Sequence, residues 1–210
     1  MKSVLISIQP KWCELIANGK KTVEVRKTKP KLETPFKVYI YCTKGQHEAL
    51  WKYGGQYYYD TQFPNERPNK ANGKVIGEFV CDRIYEIGYD YFYPCGYEVS
   101  KGEISRKELY EKSCLSFNQM DDYLNMELGY AWHISNLVIY DEPRELSEFV
   151  VEGDCLNGDC KKCKWFDGGN NYNVEADCLL PYDFHFKKTV KPLFRPPQSW
   201  CYVESEVDTE

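Results

Sequence analysis

Lys21, Glu24 and Arg26 fall within six residues of one another, in the pattern Gly19-x-Lys21-x-x-Glu24-x-Arg26. A guanidinium can make paired bonds to a phosphate or a base edge, and an ammonium acts as a compact point charge. A carboxylate between them accepts hydrogen bonds from a polar heterocycle, or serves as a general base whose titration is coupled to the lysine. Thr22 adds a hydroxyl, Lys20 a second ammonium, and Trp12, upstream, an aromatic face. This donor and acceptor set suits the binding of a polar, anionic or heterocyclic ligand. The same residues also fit a Glu24–Arg26 ion pair on an exposed sheet face, and Trp12 equally fits the core.

A second group of residues has metal-ligand spacing. Cys155, Cys160, Cys163 and Cys178 form C-x4-C-x2-C-x14-C in a stretch dense in Gly and Asn. Four thiolates complete a closed tetrahedral shell, so the expected ion is a structural zinc, with His185 as a substitute ligand; reduced thiols in a loop, or a disulfide in an exported protein, are the alternative. A segment this poor in apolar residues gains from a metal the stability it lacks in core. The other six cysteines are scattered and fit small buried hydrophobes. His47, His133 and His185 are isolated, and His133 reads as structural. Aromatic residues crowd two stretches that read as loops, Trp51 to Tyr59 and Tyr85 to Tyr97. Such rings stack bases or pack loops against a sheet; packing is expected for most of them.

The elements that must position these groups follow from periodicity. Val4–Ile8 alternates as a strand. Pro10 opens a short helix with Trp12, Leu15 and Ile16 at helical spacing, and Gly19 closes it. Thr22–Arg26 alternates again, with Val23 and Val25 on one face and Thr22, Glu24 and Arg26 on the other. Phe36–Cys42, Lys74–Ile87, Tyr130–Tyr140 and the terminal SWCYVE read as strands, and Ser105–Lys112 and Ser116–Leu124 as helices. Residues 46–72 read as a long loop, and 141–149 as a turn leading to a helical stub. Several strands with few short helices predict a small β-barrel with helical decorations.

The 210 residues hold 27 Lys and Arg against 32 Asp and Glu, a net charge of −5, with 42% apolar and 16% aromatic residues. That composition excludes a disordered chain and allows a sizeable core. No apolar run reaches the roughly 20 residues of a membrane helix, and MKSVLISIQPKW makes a poor signal peptide, so a cytoplasmic protein without membrane contacts is expected. The acidic total argues against a protein that coats polyanions, but the charge is uneven. Residues 11–37 carry eight basic and three acidic residues, a local excess of +5 against −10 elsewhere. A basic window of this kind forms a local anion site or spreads over solvated faces.

The Gly19-x-Lys21-x-x-Glu24-x-Arg26 pattern, with SIQPKWCELIANG before it and YAWHISNLVIYDEPRELSEF and RPPQSWCYVE after it, resembles the ASCH domains of the PUA-like superfamily, in a branch found in bacterial and phage proteins. The resemblance covers an ASCH domain over 1–150 and the final strand; between them the cysteine spacing marks a Cys-rich, zinc-binding insertion over 151–198, and the closing strand with an acidic tail occupies 199–210. The resemblance implies an α+β fold, a mixed β pseudo-barrel with short helices, and a cleft around Trp12, Lys20, Lys21, Thr22, Glu24 and Arg26 that accepts RNA, nucleotides or modified nucleobases. Some small ASCH proteins are amidohydrolases on N4-acetylcytidine, using the motif Lys, a Thr three residues later and a Glu from a downstream helix. Lys21 matches the first. Glu24 stands at the Thr position, and the acid falls at Ser113, with Glu111 the nearest carboxylate. An enzyme would then rest on Lys21 and Glu24 alone. A third alternative is a phage or prophage protein-interaction module, with the acidic remainder of the chain meeting a host protein.

Overall fold

The computed structural model describes residues 2–92, 95–101, 104–153 and 189–204. Thirteen strands and two kinds of helix follow one another among them. In chain order they are β1 (Lys2–Ile8), α1 (Pro10–Ala17), β2 (Val23–Arg26), β3 (Phe36–Cys42), β4 (Ala49–Tyr53), β5 (Gln56–Asp60), β6 (Lys74–Cys81), β7 (Ile84–Asp90) and β8 (Gly96–Lys101). Then come α2 (Arg106–Ser113), α3 (Phe117–Leu124), β9 (Gly129–His133), β10 (Ser135–Glu145), a 3-10 turn at Leu146–Glu148, β11 (Val150–Gly153), β12 (Thr189–Pro192) and β13 (Trp200–Glu204).

A seven-stranded sheet runs β10-β6-β3-β1-β13-β11-β12, and a four-stranded sheet runs β2-β9-β7-β8. The large sheet is mixed: β1 pairs with β3 in parallel and with β13 antiparallel. The fold is therefore α+β, and among the described residues the sheets do not close into a continuous hydrogen-bonded barrel. The runs expected as single strands at 74–87 and 130–140 are each divided. β6 and β10 pair in the large sheet, while their continuations β7 and β9 pair in the small one. The break falls at Asp82–Arg83 on one run and at Ile134 on the other, where the His133 N–H donates to the Arg83 carbonyl. Hydrophobic content cannot reveal such a bend, because both halves remain buried.

Three expectations are corrected. Residues 46–72 are not one loop: β4 and β5 form an antiparallel hairpin turned by Gly54 and Gly55, whose positive φ values of 56° and 81° suit a two-residue turn. The aromatic stretch 85–97 is likewise mostly the β7–β8 hairpin. The turn expected at 141–149 is strand as far as Glu145, and only the 3-10 turn remains of the helical stub.

Alternation along β1 and β3 fills both faces of the large sheet. Val4, Ile6, Ile8, Val38, Ile40 and Cys42 enter one buried cluster with Ile16 and Trp132, and Leu5, Tyr39 and Tyr41 enter another with Phe149. A third cluster seats α2 and α3 on the small sheet through Leu109, Met120 and Leu124 against Val23, Val25 and Ile87. Both helices start on capping boxes, Ser105 with Glu108 and Ser116 with Gln119, which satisfy amide donors at each N-terminus. Among the described residues no helix is long and apolar enough to cross a membrane.

Candidate functional site

The end of α1 sets the geometry of the site. Gly19 takes φ +70°, its N–H donates to Ile16 O (2.9 Å), and the Lys20 N–H donates to Leu15 O (2.8 Å). This is a Schellman ending, which stops the helix and turns the chain sharply into β2. The C-terminus of α2 meets the same corner, with the Thr22 N–H donating to Lys112 O at 2.9 Å. β2 then sends Val23 and Val25 into the core of the small sheet and Glu24 and Arg26 to the opposite side.

Lys21, Glu24 and Arg26 are buried, at 2%, 6% and 7% exposure. Glu24 bridges the two cations: its Oε2 lies 3.2 Å from Lys21 Nζ and its Oε1 lies 2.9 Å from Arg26 Nη2. Lys21 Nζ also donates to the Ser113 carbonyl at 2.6 Å, at the negative end of α2. Arg26 Nη2 donates to Ser7 O at 2.7 Å and Nη1 to Ser199 Oγ at 3.4 Å, which ties β2 to β1 and to the entry of β13. The buried Arg26 Nε has no partner among the described residues. Burial pulls the Lys21 ammonium below the ordinary lysine range, against the opposing pull of Glu24. Two cations facing one carboxylate leave a net positive charge, which favours an electronegative ligand.

Above this floor opens a cavity of about 590 Å³. Trp12 and Gln9 come from the start of α1, Gln119, Asp122 and Tyr123 from one face of α3, and Thr43, Gln198 and Ser199 complete the polar wall. Trp12 serves both expected roles, since it packs on the main core while lining the cavity, and Lys21 Nζ sits 5.4 Å from its ring centroid. Two exposed lysines lie on wall aromatics, Lys11 at 4.8 Å from the Trp12 ring and Lys27 at 5.7 Å from the Tyr123 ring. The basic window therefore divides: Lys21 and Arg26 form the floor, Lys11 and Lys27 sit against two of the wall rings, and Lys37 pairs with Glu78 at 2.8 Å in the large sheet.

Of the six residues expected to bind ligand, Trp12, Lys21, Glu24 and Arg26 line the cavity. Lys20 is exposed, 4.0 Å from Glu14, and neither it nor Thr22 is among the lining residues. Gln119, Asp122 and Tyr123 were not expected, although their i, i+3, i+4 spacing opposite Met120 and Leu124 marks them as one polar helix face. Ser113, at the position of the amidohydrolase acid, is fully buried, and its hydroxyl donates to Tyr110 O. Glu111 is exposed, 3.7 Å from Lys107. His133 pairs with Asp82 at 2.6 Å and is not among the residues lining the cavity. Among the described residues no cluster of His, Cys, Asp and Glu could hold a metal ion. Cys155, Cys160, Cys163, Cys178 and His185 lie outside the described residues.

Comparison with known proteins gives the family. No curated protein matches the chain. Among solved structures it is similar to ASCH from Zymomonas mobilis, at 19% identity and a TM-score of 0.42, over 69% of this chain and 73% of that one. It is also similar to a Tyr-to-Phe variant of the Zymomonas mobilis protein, at 20% identity and a TM-score of 0.42, over 70% and 77%. Residues 6–115, which carry the end of β1, α1, β2 and α2, match the ASCH domain model. The chain belongs to the ASCH domain family, a PUA-like family whose members are generally RNA-binding.

Proposed function

We propose that the cavity holds one unstacked nucleobase of single-stranded RNA, or the corresponding modified nucleobase. The observation that carries this reading is the Lys21–Glu24–Arg26 floor beneath Trp12 and Tyr123. The floor offers fixed donors and an acceptor to a base edge, and the two rings offer faces for stacking. Lys11 and Lys27, lying on those rings, meet the phosphates on either side of the bound base. Anisotropy titration of a labelled 12-nucleotide RNA tests it with Trp12→Ala and Tyr123→Ala, both at partly exposed positions. Each lost ring weakens binding about tenfold, the worth of one stacked base. Unchanged affinity in both variants refutes the assignment.

A second reading rests on the contact between Glu24 and the Lys21 ammonium, which burial makes readier than an ordinary lysine to give up its proton. Glu24 can take a proton from water as it attacks an amide carbonyl, and Lys21 can return one to the leaving amine. The substrate class is an N4-acylated cytidine-like nucleoside, giving the free amine and a carboxylate. Chromatography of N4-acetylcytidine incubated with pure protein decides this reading, which fails if no cytidine forms.

We also propose that Cys155, Cys160, Cys163 and Cys178 hold a structural zinc. The spacing and the apolar-poor composition of their segment support it.

A further inference from the structure

The β4–β5 hairpin carries an aromatic face that the cavity does not use. Its register sets Trp51 opposite Tyr58 and Tyr53 opposite Gln56, so the three rings share one side of the ribbon. Leu50 and Tyr57, on the other side, belong to the main core. Trp51 and Tyr58 lie 5.2 Å apart with planes tilted by 32°, and Tyr53 lies 6.0 Å from Trp51. Tyr53 is 69% exposed and Tyr58 40%, unusual for large rings in a row. The Arg67 guanidinium, held by Asp60, sits 5.2 Å from the Trp51 ring centroid, and Lys70 bridges to the Trp51 backbone.

We propose that this face is a stacking platform for single-stranded nucleic acid, a second contact for the strand whose base enters the cavity. Charge supports that occupant along the path: residues 11–37, which supply the cavity floor and the Lys11 and Lys27 flanks, hold eight basic against three acidic residues, and the hairpin and its flanks are balanced, with Arg67 placed on the Trp51 ring. Continuity supports it too. Asn72 Nδ2 donates to Thr43 O at 3.3 Å and to Glu48 O at 3.2 Å, and Asn72 Oδ1 accepts from Leu50 N at 2.8 Å. Thr43 is itself a cavity wall residue, and α1, whose start lines the cavity, holds β5 through Asn18 Nδ2 and Tyr57 O at 3.0 Å. The strand path rests on the cavity reading, but the platform stands or falls separately.

The test is anisotropy titration of labelled 3-nucleotide and 12-nucleotide oligouridylates, and of the matching oligodeoxythymidylate, on wild type, Tyr53→Ala/Tyr58→Ala and Tyr53→Phe/Tyr58→Phe, with thermal melts as folding controls. The Ala pair binds the 12-mer about tenfold more weakly and the 3-mer unchanged, and the Phe pair restores wild-type affinity because the rings, not the hydroxyls, stack. A preference between the RNA and DNA 12-mers identifies the natural strand. A 12-mer bound equally by wild type and the Ala pair overturns the platform, as does wild-type protein that binds neither 12-mer, or an Ala pair that no longer melts cooperatively while the Phe pair shows no affinity for the 12-mer. Loss in the hairpin variants with no loss in Trp12→Ala keeps the platform and removes the cavity from the path.

Discussion

Glu24→Gln removes the one negative charge between two buried cations while keeping the shape of the side chain. At an effective dielectric of about 20, a pair of unit charges near 3 Å interacts by about 5 kcal/mol, and Glu24 has two such contacts, at 3.2 and 2.9 Å. Much of that gain offsets desolvation in the native protein, so the net loss is that of breaking a buried pair, about 3–5 kcal/mol. For a chain of this size the melting temperature falls by roughly 6–20 °C. The loss also depends on pH in a definite sense. Lys21 is already held below its unfolded value by burial, and without Glu24 the folded state binds its proton still less well. Between the lowered folded pKa and the unfolded value of about 10.4, the unfolded chain binds more protons, so stability rises with pH. The deficit of Glu24→Gln relative to wild type is therefore larger at pH 7 than at pH 9.5. Urea denaturation of both proteins at the two pH values measures it. Equal stabilities at pH 7, or a deficit that widens toward pH 9.5, would refute the reasoning about the buried triad.

Other outcomes follow from single features. If Lys11 and Lys27 each neutralise one phosphate, the affinity for single-stranded RNA falls with salt at a log–log slope of about −1.4, and Lys11→Ala removes about half of it. Ser105→Ala opens the cap of the helix whose last carbonyl holds Lys21, costing about 1 kcal/mol and roughly 2–4 °C in the melt. The same cap, with Lys112 beside it, holds the Glu108 carboxyl down at about 2, so its contribution is fully present above the ordinary glutamate value of 4.5 and lost as pH falls toward 2, which acid titration followed by circular dichroism reads. Metal analysis of protein purified without chelator gives one zinc per chain, and serine at Cys160 and Cys163 removes it.

The corner that carries the site was legible because local signals agreed there. Pro10 and Gly19 bound the helix, and alternation through Thr22–Arg26 put Glu24 and Arg26 on one face. The opposing walls were not legible, because Gln119, Tyr123, Gln198 and Ser199 arrive from elements some 90 to 170 positions away, and chain spacing carries no such contact. Charge misled in one respect. A run of lysines does not distinguish a buried cation such as Lys21 from an exposed one such as Lys20, which only the chain reversal at Gly19 separates. The hairpin at 49–60 was missed although Gly54-Gly55 between two alternating runs is a hairpin signal, because its Gly, Tyr and Asn content reads as loop.

The most direct test of the central claim is to locate the bound base. Single-stranded RNA carrying 4-thiouridine, irradiated in complex with the protein and digested for mass spectrometry, is expected to yield adducts on the peptides that hold Trp12 and Tyr123. Efficient crosslinking with adducts confined to peptides away from the cavity walls would contradict the account.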